Sequence, residues 1–189
     1  MTTVSKINTI ADGTAVQTPG DKLFPYLQAN VDHVITVDDS ELTLSFLDMA
    51  ENHKMIVENS GLLTVAALKH LDFKGKKVVS VLSGGNMDVL TMATVVQNGL
   101  MQRDRIFTVS VMLPDKPGQL AAVSSLIAKE QGNVIKLEHN VFANVNRTAG
   151  VELTITLESF GTEHKDQIIK ALEAAGYCPV ITKTNGIYM

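Results

Sequence analysis

The sequence is poor in cysteine, in long apolar runs and in clustered basic residues. Cys178 is the only cysteine, so no disulfide can form within the chain, and a reducing compartment is expected. No run approaches the roughly 20 apolar residues that a membrane helix needs, and the first residues lack the apolar core of a signal peptide. Lys and Arg do not cluster as they do on nucleic-acid-binding surfaces. These absences predict a cytoplasmic protein whose partners include neither a membrane nor a nucleic acid.

The composition predicts a folded chain of moderate charge. Of the 189 residues, 45% are hydrophobic and 19% are charged, and the formal net charge is −4. This balance argues against disorder, and the length allows one domain or two small ones. The five histidines show no paired spacing of the kind that binds a metal, so we expect no metal site and assign them surface or structural roles. Cys178 is expected to serve packing.

Strand and helix patterns alternate along the first hundred residues. The stretches HVITV (His33–Val37), KMIV (Lys54–Val57) and KKVVSVL (Lys76–Leu82) are apolar and β-branched, which predicts strands. Helices are predicted over DDSELTLSFLDMAENHK and LLTVAALKHL. Such alternation predicts a parallel α/β sheet. KKVVSVL has the pattern of a strand covered on both faces, which needs more neighbours than this region contains, so we expect an incomplete piece of a larger domain.

The first predicted helix carries its own start signal. Asp38 followed by Glu41 resembles a capping box, and one apolar stripe follows it, formed by Leu42, Phe46 and Met49.

The pattern changes near residue 105. Strands and amphipathic helices then follow in the order β-α-β-β-α-β, which is the ferredoxin-like arrangement. In IFTVSVML the alternation places Thr108 and Ser110 opposite the apolar residues, which predicts a strand with one wet face. The next helix, with Pro117 in its first turn, carries a single apolar side formed by Leu120, Val123 and Ile127. We therefore predict two domains, residues 1–104 and 105–189.

A strand-to-helix turn at Ser83-Gly84-Gly85-Asn86 is the first candidate site. Its glycines let a ligand approach the backbone, and the N-terminus of the following helix favours negative charge. An ordinary turn explains the same residues equally well. Glu58, between an apolar stretch and the predicted helix, is either a helix-start charge or a site residue. The spacing is neither GxGxxG nor a P-loop, which argues against nucleotide binding.

The loop in LPDKPGQL is the second candidate site. Pro117 suits the first turn of a helix, and Gly118 removes a side chain where a ligand would meet the backbone. Free N–H groups there suit a small carboxylate, although a well-capped loop is the plainer interpretation.

Taken together, these stretches resemble one family. NTIADGTAV, KMIVENSGLLTVAAL and VVSVLSGGNMD resemble, in this order, the C-terminal part of the threonine ammonia-lyases, which are pyridoxal-phosphate enzymes of fold type II. FTVSVMLPDKPGQLAAVSSLIA followed by NVIKLEHN resembles an ACT regulatory domain. The implied fold class is α/β, with an incomplete piece of a parallel α/β domain followed by a ferredoxin-like βαββαβ ACT domain.

The resemblance also implies roles for particular residues. Ser83 would hydrogen-bond the pyridine nitrogen of pyridoxal phosphate, Gly84, Gly85 and Asn86 would shape the same wall, and Glu58 would lie near the cofactor ring. The amino-acid effector, whether isoleucine, valine or a similar one, would bind in the ACT domain. Its site would be lined by Pro114, Asp115, Lys116, Pro117, Gly118, Gln119, Leu120, Asn133 and Ile135. The resemblance also implies a homo-oligomer, most simply a dimer formed through the ACT domain.

The resemblance leaves the catalytic residues outside this sequence. The Schiff-base lysine and the glycine-rich phosphate cup of the family lie upstream of NTIADG, and Lys74 in DFKGKK lacks the residues that flank that lysine. The chain alone is therefore expected to hold no catalytic residue and no cofactor. Two rival hypotheses remain, a stand-alone module that binds an amino acid and a module that serves only oligomerisation.

Overall fold

The computed structural model describes residues 3–140 and 150–184, and the chain divides into two compact units, Met1–Gly99 and Leu100–Met189. Within the described ranges, no helix is long and apolar enough to cross a membrane. The same residues include no group of three or more His, Cys, Asp or Glu arranged to hold a metal ion.

The first unit is built from short helices that enclose a small apolar core. The α-helices are α1 (Phe24–Asn30), α2 (Asp39–Asp48), α3 (Leu63–Ala66) and α4 (Val89–Gln102), whose last residues extend into the second unit. A π-helical turn follows α2 at Met49–His53, and 3-10 turns occupy Asp12–Thr14, Asn59–Leu62 and Ala67–His70. The largest buried side chains of this core are Leu42, Phe46 and Leu62.

The predicted start of α2 is confirmed. Asp38 is the N-cap in a capping box, and Glu41 Oε2 accepts a hydrogen bond of 2.9 Å from the Asp38 N–H. Glu41 Oε1 also lies 2.8 Å from His70 Nε2. The apolar stripe predicted for this helix is buried, with Leu42 and Phe46 each 1% exposed. The sequence pattern thus located both the beginning of α2 and its inner face.

The three strands predicted in this unit are not formed, and this prediction was wrong. His33–Val37, Lys54–Val57 and Lys76–Leu82 contain no strand, and Val34 and Val79 are each 88% exposed. β-branched residues favour an extended backbone, but a strand also needs hydrogen bonds from a neighbouring strand. The described residues of this unit, 3–99, supply no such neighbour, so local preference alone is insufficient.

The second unit has the predicted ferredoxin-like order. Its strands are β1 (Ile106–Leu113), β2 (Asn133–Asn140), β3 (Val151–Glu158) and β4 (Val180–Thr182), and its helices are α5 (Gln119–Lys129) and α6 (Thr162–Ala174). The strands form one antiparallel sheet in the order β2-β3-β1-β4. The core lies between the helices and one face of this sheet, where the apolar residues of β1 and β3 meet Val123, Ile127, Ile168 and Leu172.

The face of β1 that carries Thr108 and Ser110 is less exposed to solvent than the alternation predicted. Thr108 and Ser110 do alternate with the apolar residues, but they are only 5% and 7% exposed. β1 is a central strand, so β3 and β4 flank it on both sides. Thr108 Oγ1 lies 3.0 Å from Thr156 Oγ1, and the Ser110 hydroxyl donates to Glu152. These cross-strand contacts satisfy the buried hydroxyls, as burial requires.

Two further expectations concern His164 and Cys178. His164 is buried, its Nδ1 accepts from the Phe160 N–H at 3.0 Å, and its Nε2 lies 2.6 Å from the Glu130 carbonyl oxygen. Its role is therefore structural, as expected. The packing role expected for Cys178 was wrong, because this cysteine is exposed.

The Glu41 carboxylate makes the stability of the first unit depend on pH. The hydrogen bond from the Asp38 N–H, with a smaller effect of His70, holds the pKa of Glu41 below its ordinary value of 4.5. A carboxyl group whose pKa is lower in the folded than in the unfolded chain stabilises the fold at pH values above its unfolded-state pKa. This stabilisation is lost as the pH falls through the folded-state pKa. We expect Glu41→Gln to lower the melting temperature at pH 7, and the difference from the parent chain to shrink as the pH falls below 4.5 and through the lowered pKa of Glu41.

The control is Asp21→Asn, which changes an exposed carboxylate in the same unit. Thermal melts from pH 7 to pH 3 measure both differences. A difference for Glu41→Gln that stays constant over this range would contradict the assignment.

Candidate functional site

The turn Ser83–Asn86 is held by a carboxylate from another segment. Glu58 Oε2 accepts a hydrogen bond of 3.0 Å from the Asn86 N–H. The same carboxylate lies directly against Gly84, because a Cβ built there would stand 2.0 Å from Glu58 Cδ. Gly84 also has a φ of +79°, which L side chains rarely adopt. Two separate requirements therefore make residue 84 a glycine.

Two other turns pack against this one. A Cβ on Gly61 would lie 1.9 Å from the Ser83 carbonyl oxygen, so the two backbones are in close contact. A Cβ on Gly13 would lie 2.7 Å from Ser60 Oγ and 3.4 Å from Glu58 Oε1. The structure thus brings together three stretches that are far apart in sequence, ADGT, ENSG and SGGN.

Asn59 joins the first two of these stretches. Its Nδ2 donates to the Ile10 carbonyl oxygen at 3.1 Å, and the residue is only 4% exposed. Asn59 Oδ1 and Ser60 Oγ are buried and find no hydrogen-bond partner among the described residues. Buried polar atoms are rarely left unsatisfied, so both atoms are available to a further polar group.

The expected anion site at this turn is occupied by the protein's own carboxylates. Glu58 already accepts from the Asn86 N–H. Asp88 Oδ1 accepts from the N–H groups of Leu90 and Thr91, which begin α4, at 2.9 and 3.0 Å. The Thr91 hydrogen bonds hold the pKa of Asp88 below its ordinary value, so it stays charged. Ser83 itself is exposed.

The loop after β1 encloses the second candidate site. A cavity of about 300 Å³ is lined by His139 and by the consecutive residues Leu113, Pro114, Asp115, Lys116, Pro117, Gly118, Gln119 and Leu120. All seven loop residues predicted for an effector therefore line a single cavity. His139 was not among them, because a lone histidine on a strand carries no signal in sequence.

Details of this loop differ from the prediction. Pro117 precedes the helix, because α5 begins at Gln119 and Gly118 is its N-cap, with a φ of +92°. Leu120 was expected on the apolar side of the helix, but it is 37% exposed and lines the cavity instead. A Cβ on Gly118 would meet nothing within 4 Å. The backbone conformation of Gly118 therefore requires a glycine, whereas no contact with another described residue does.

Asn133 and Ile135 lie away from this cavity within one chain. Asn133 begins β2, and its Nδ2 donates to Glu158 Oε2 at 3.1 Å, whereas His139 stands near the other end of the strand. The six residue steps from Asn133 to His139 correspond to about 20 Å at 3.3 Å per residue. Ile135 sits where the pairing of β2 with β3 shifts by one residue.

Comparison with known protein families finds one match in each half of the chain. A family model described as "Pyridoxal-phosphate dependent enzyme" matches residues 1–84, and the ACT domain model matches residues 107–176. The chain therefore matches a segment of the pyridoxal-phosphate-dependent enzymes in its first part and an ACT domain in its second. The resemblance and the α/β class with a ferredoxin-like ACT domain are confirmed, whereas the parallel strands expected in the first piece are not formed among its described residues.

The curated relatives are longer proteins. An L-threonine ammonia-lyase of Geobacter sulfurreducens is 36% identical over 93% of this chain and 44% of its own length. One of Thermotoga maritima is 34% identical over 89% of this chain and 42% of its own length. The chain thus spans less than half of each relative and matches the C-terminal piece of a threonine ammonia-lyase. Among solved structures, prephenate dehydratase from Streptococcus mutans is 19% identical over 40% of each chain, at a TM-score of 0.34.

The residues of the pyridoxal-phosphate segment fit one wall of a cofactor site. The unsatisfied Ser60 Oγ and the exposed Ser83 hydroxyl are neutral groups of the kind that can hydrogen-bond a pyridine ring or its substituents. Gly85 leaves open space beside them, since a Cβ there would meet nothing within 4 Å. The turn offers no spare positive charge for a phosphate, so the fit concerns the ring alone.

The two neighbouring glycines provide a matched test of the Glu58 contact. Gly84→Ala places a methyl group on the Glu58 carboxylate and strains the backbone, whereas Gly85→Ala meets open space. We expect Gly84→Ala to lower the free energy of unfolding by about 1–3 kcal/mol. The Asn86 amide should also lose protection from hydrogen exchange. Gly85→Ala should stay within about 0.5 kcal/mol of the parent. Denaturant melts and amide exchange by NMR measure both, and equal effects of the two variants would contradict the contact.

Proposed function

We propose that this chain is the regulatory C-terminal segment of a threonine ammonia-lyase, which converts L-threonine to 2-oxobutanoate and ammonia. The observation that supports this proposal most is the cavity at the β1–α5 loop, which lies within the ACT domain. In addition, 93% of this chain matches such a lyase. Residues 105–189 would bind the effector, and residues 1–104 would contribute a wall of the active site.

In the catalytic half, we assign the pyridine-nitrogen contact to Ser83. A hydroxyl partner leaves that nitrogen neutral, whereas a carboxylate would favour its protonation. Bound pyridoxal phosphate supplies the electron sink for elimination. Glu58 keeps the turn in place through the Asn86 N–H, and Gly84 allows that carboxylate to approach. Gly85, which has open space around it, would leave room for the ring. Glu58 would thus act on the cofactor only through the turn that it positions.

In the regulatory half, the loop cavity suits a small amino acid. Within the described residues, the N–H groups of Leu120 and Ala121 in the first turn of α5 donate to no acceptor. A helix N-terminus with free N–H groups favours a carboxylate. Asp115 lines the same cavity and suits the ligand's ammonium group, while Leu113 and Leu120 suit an aliphatic side chain. Isoleucine and valine fit this combination.

A second copy of the chain would complete this cavity. β2 is an edge strand of eight residues, whereas the other edge strand, β4, has three. Edge strands expose unpaired backbone groups that can join another strand. Two copies of β2 paired antiparallel about a two-fold axis would set the start of one strand beside the end of the other. Asn133 and Ile135 of the second copy would then approach His139 and the loop of the first. Within one chain, Asn133 lies about 20 Å from His139 along β2.

Two further assignments accompany this proposal. We place the boundary between the two functional domains at Asp104 and Arg105, just before β1 begins. We place the protein in the cytoplasm, which suits a single exposed cysteine and the metabolism of an amino acid.

The regulatory proposal predicts amino-acid binding that depends on Gly118. We expect L-isoleucine or L-valine to bind the full chain in calorimetry. Gly118→Ala should weaken that binding at least about tenfold, or 1.4 kcal/mol, because it adds a methyl group at the cavity wall. Gly176→Ala is the matched control, since Gly176 also has a positive φ, of +88°, and open space around it but lies outside the cavity. A chain that binds none of isoleucine, valine, threonine or serine at millimolar concentration would contradict the proposal.

Light scattering on the same samples tests the shared cavity. The chain should be a dimer when it binds ligand, and dilution below the dimer's dissociation constant should abolish binding. A monomer with undiminished affinity would remove Asn133 and Ile135 from the site.

The catalytic proposal predicts a role for the Ser83 hydroxyl. The chain should restore formation of 2-oxobutanoate when it is produced together with the upstream part of the Geobacter relative, the part outside the match. In that complex Ser83→Ala should lower kcat at least about tenfold and shift the absorption of the bound cofactor, while Ser83→Thr keeps a hydroxyl and most of the activity. Unchanged kinetics and absorption in Ser83→Ala would remove Ser83 from the cofactor site. A complex that never forms the product would favour a stand-alone binding module.

A further inference from the structure

The wall of the loop cavity opposite α5 contains a histidine to which no role has been given. His139 is the seventh residue of β2, and its register partner is Leu153. Leu153 is fully buried in the core that the sheet forms with α5 and α6. Side chains of register partners share one face of an antiparallel sheet, so His139 stands on the helix-facing side. It therefore faces the cavity across from the first turn of α5.

The imidazole of His139 has no polar partner within the part of the chain that the structure describes. It is exposed, and no hydrogen bond or ion pair joins it to another described residue. By contrast, both ring nitrogens of His164 contact backbone groups, and His70 pairs with Glu41. These two histidines have roles in the fold, whereas His139 contributes a polar group to a cavity.

An amino-acid carboxylate in this cavity needs donors on two sides. Its two oxygens accept about four hydrogen bonds, and the N–H groups of Leu120 and Ala121 approach from α5 only. A neutral imidazole always carries one N–H donor, so His139 can supply a bond from β2 without changing its charge state. Asp115 and Lys116 also line the cavity, and the first of these repels a carboxylate while the second attracts it.

We propose that His139 is a specificity-determining residue of the effector cavity, which donates a hydrogen bond to the carboxylate of an α-amino acid held against the first turn of α5. This inference rests on the proposed regulatory function and adds to it the group that distinguishes a free amino acid from a derivative blocked at the carboxylate. It also explains why a ligand would connect the loop to β2, the strand available for pairing with a second copy.

The test combines variants of the chain with variants of the ligand. Calorimetry is carried out on the full chain with L-isoleucine, L-valine, L-threonine and L-serine and with their carboxamides, which lack the charged carboxylate. His139→Leu removes the donor, and His139→Gln keeps an N–H donor. His33→Leu is the control, because it changes an exposed histidine of the first unit. Circular dichroism establishes that each variant is folded.

We expect His139→Leu to weaken binding of the amino acid by at least about tenfold, as for a hydrogen bond to a charged group, and binding of its amide by less than about threefold. His139→Gln and His33→Leu should stay within about threefold of the parent. The preference for the acid over the amide should therefore shrink in His139→Leu alone.

Two results would overturn the inference while leaving the regulatory function intact. One is a parent chain and a His139→Leu chain that bind the amino acid equally well. The other is a loss that is equal for the acid and the amide, which would show that His139 does not contact the carboxylate. A parent chain that binds none of the four amino acids would instead contradict the regulatory function, and the role of His139 would fall with it.

Discussion

Backbone hydrogen bonding between strands is the constraint on which the rest of this structure depends. A strand exists only where a neighbour satisfies its N–H and C=O groups. In the second unit β1 has neighbours on both sides, and its residues Phe107, Val109, Val111 and Leu113 are buried in the core. In the first unit Lys76–Leu82 also favours an extended backbone, but the described residues offer it no strand to pair with, and Val79 remains 88% exposed. The same requirement leaves β2 with one unpaired edge, which is where a second copy would add Asn133 to the effector cavity.

Two glycines with positive φ show how similar backbone turns serve different ends. At Gly84 the space that a side chain would fill is taken by the Glu58 carboxylate, which also accepts the Asn86 N–H. That turn is therefore already occupied by a carboxylate of the chain itself, which leaves it closed to other anions. At Gly118 the corresponding space is empty, and the first-turn N–H groups of α5 have no acceptor among the described residues. This second turn is open, as suits a ligand with a carboxylate.

The sequence predicted the features that depend on local chemistry. The capping box at Asp38 and Glu41, the buried stripe of α2 and the βαββαβ order of the second unit all follow from spacing within one element. The features that it missed depend on distant contacts. Thr108 is buried because strands flank it on both sides. His139 lies beside the loop because of the register between β2 and β3. Glu58 was expected near the cofactor ring, but only the fold shows that it holds Asn86.

The most direct measurement of the central claim is an NMR titration of the full chain with L-isoleucine and L-valine. The claim is that the ACT domain binds an amino acid between its β1–α5 loop and β2 of a second copy. It predicts that the amide signals of Gly118, Leu120, His139 and Asn133 shift together with a single dissociation constant, although one chain keeps Asn133 about 20 Å from the loop. Shifts confined to the loop would leave a binding site within one chain, and the absence of shifts at Gly118 and Leu120 with either amino acid would contradict the claim.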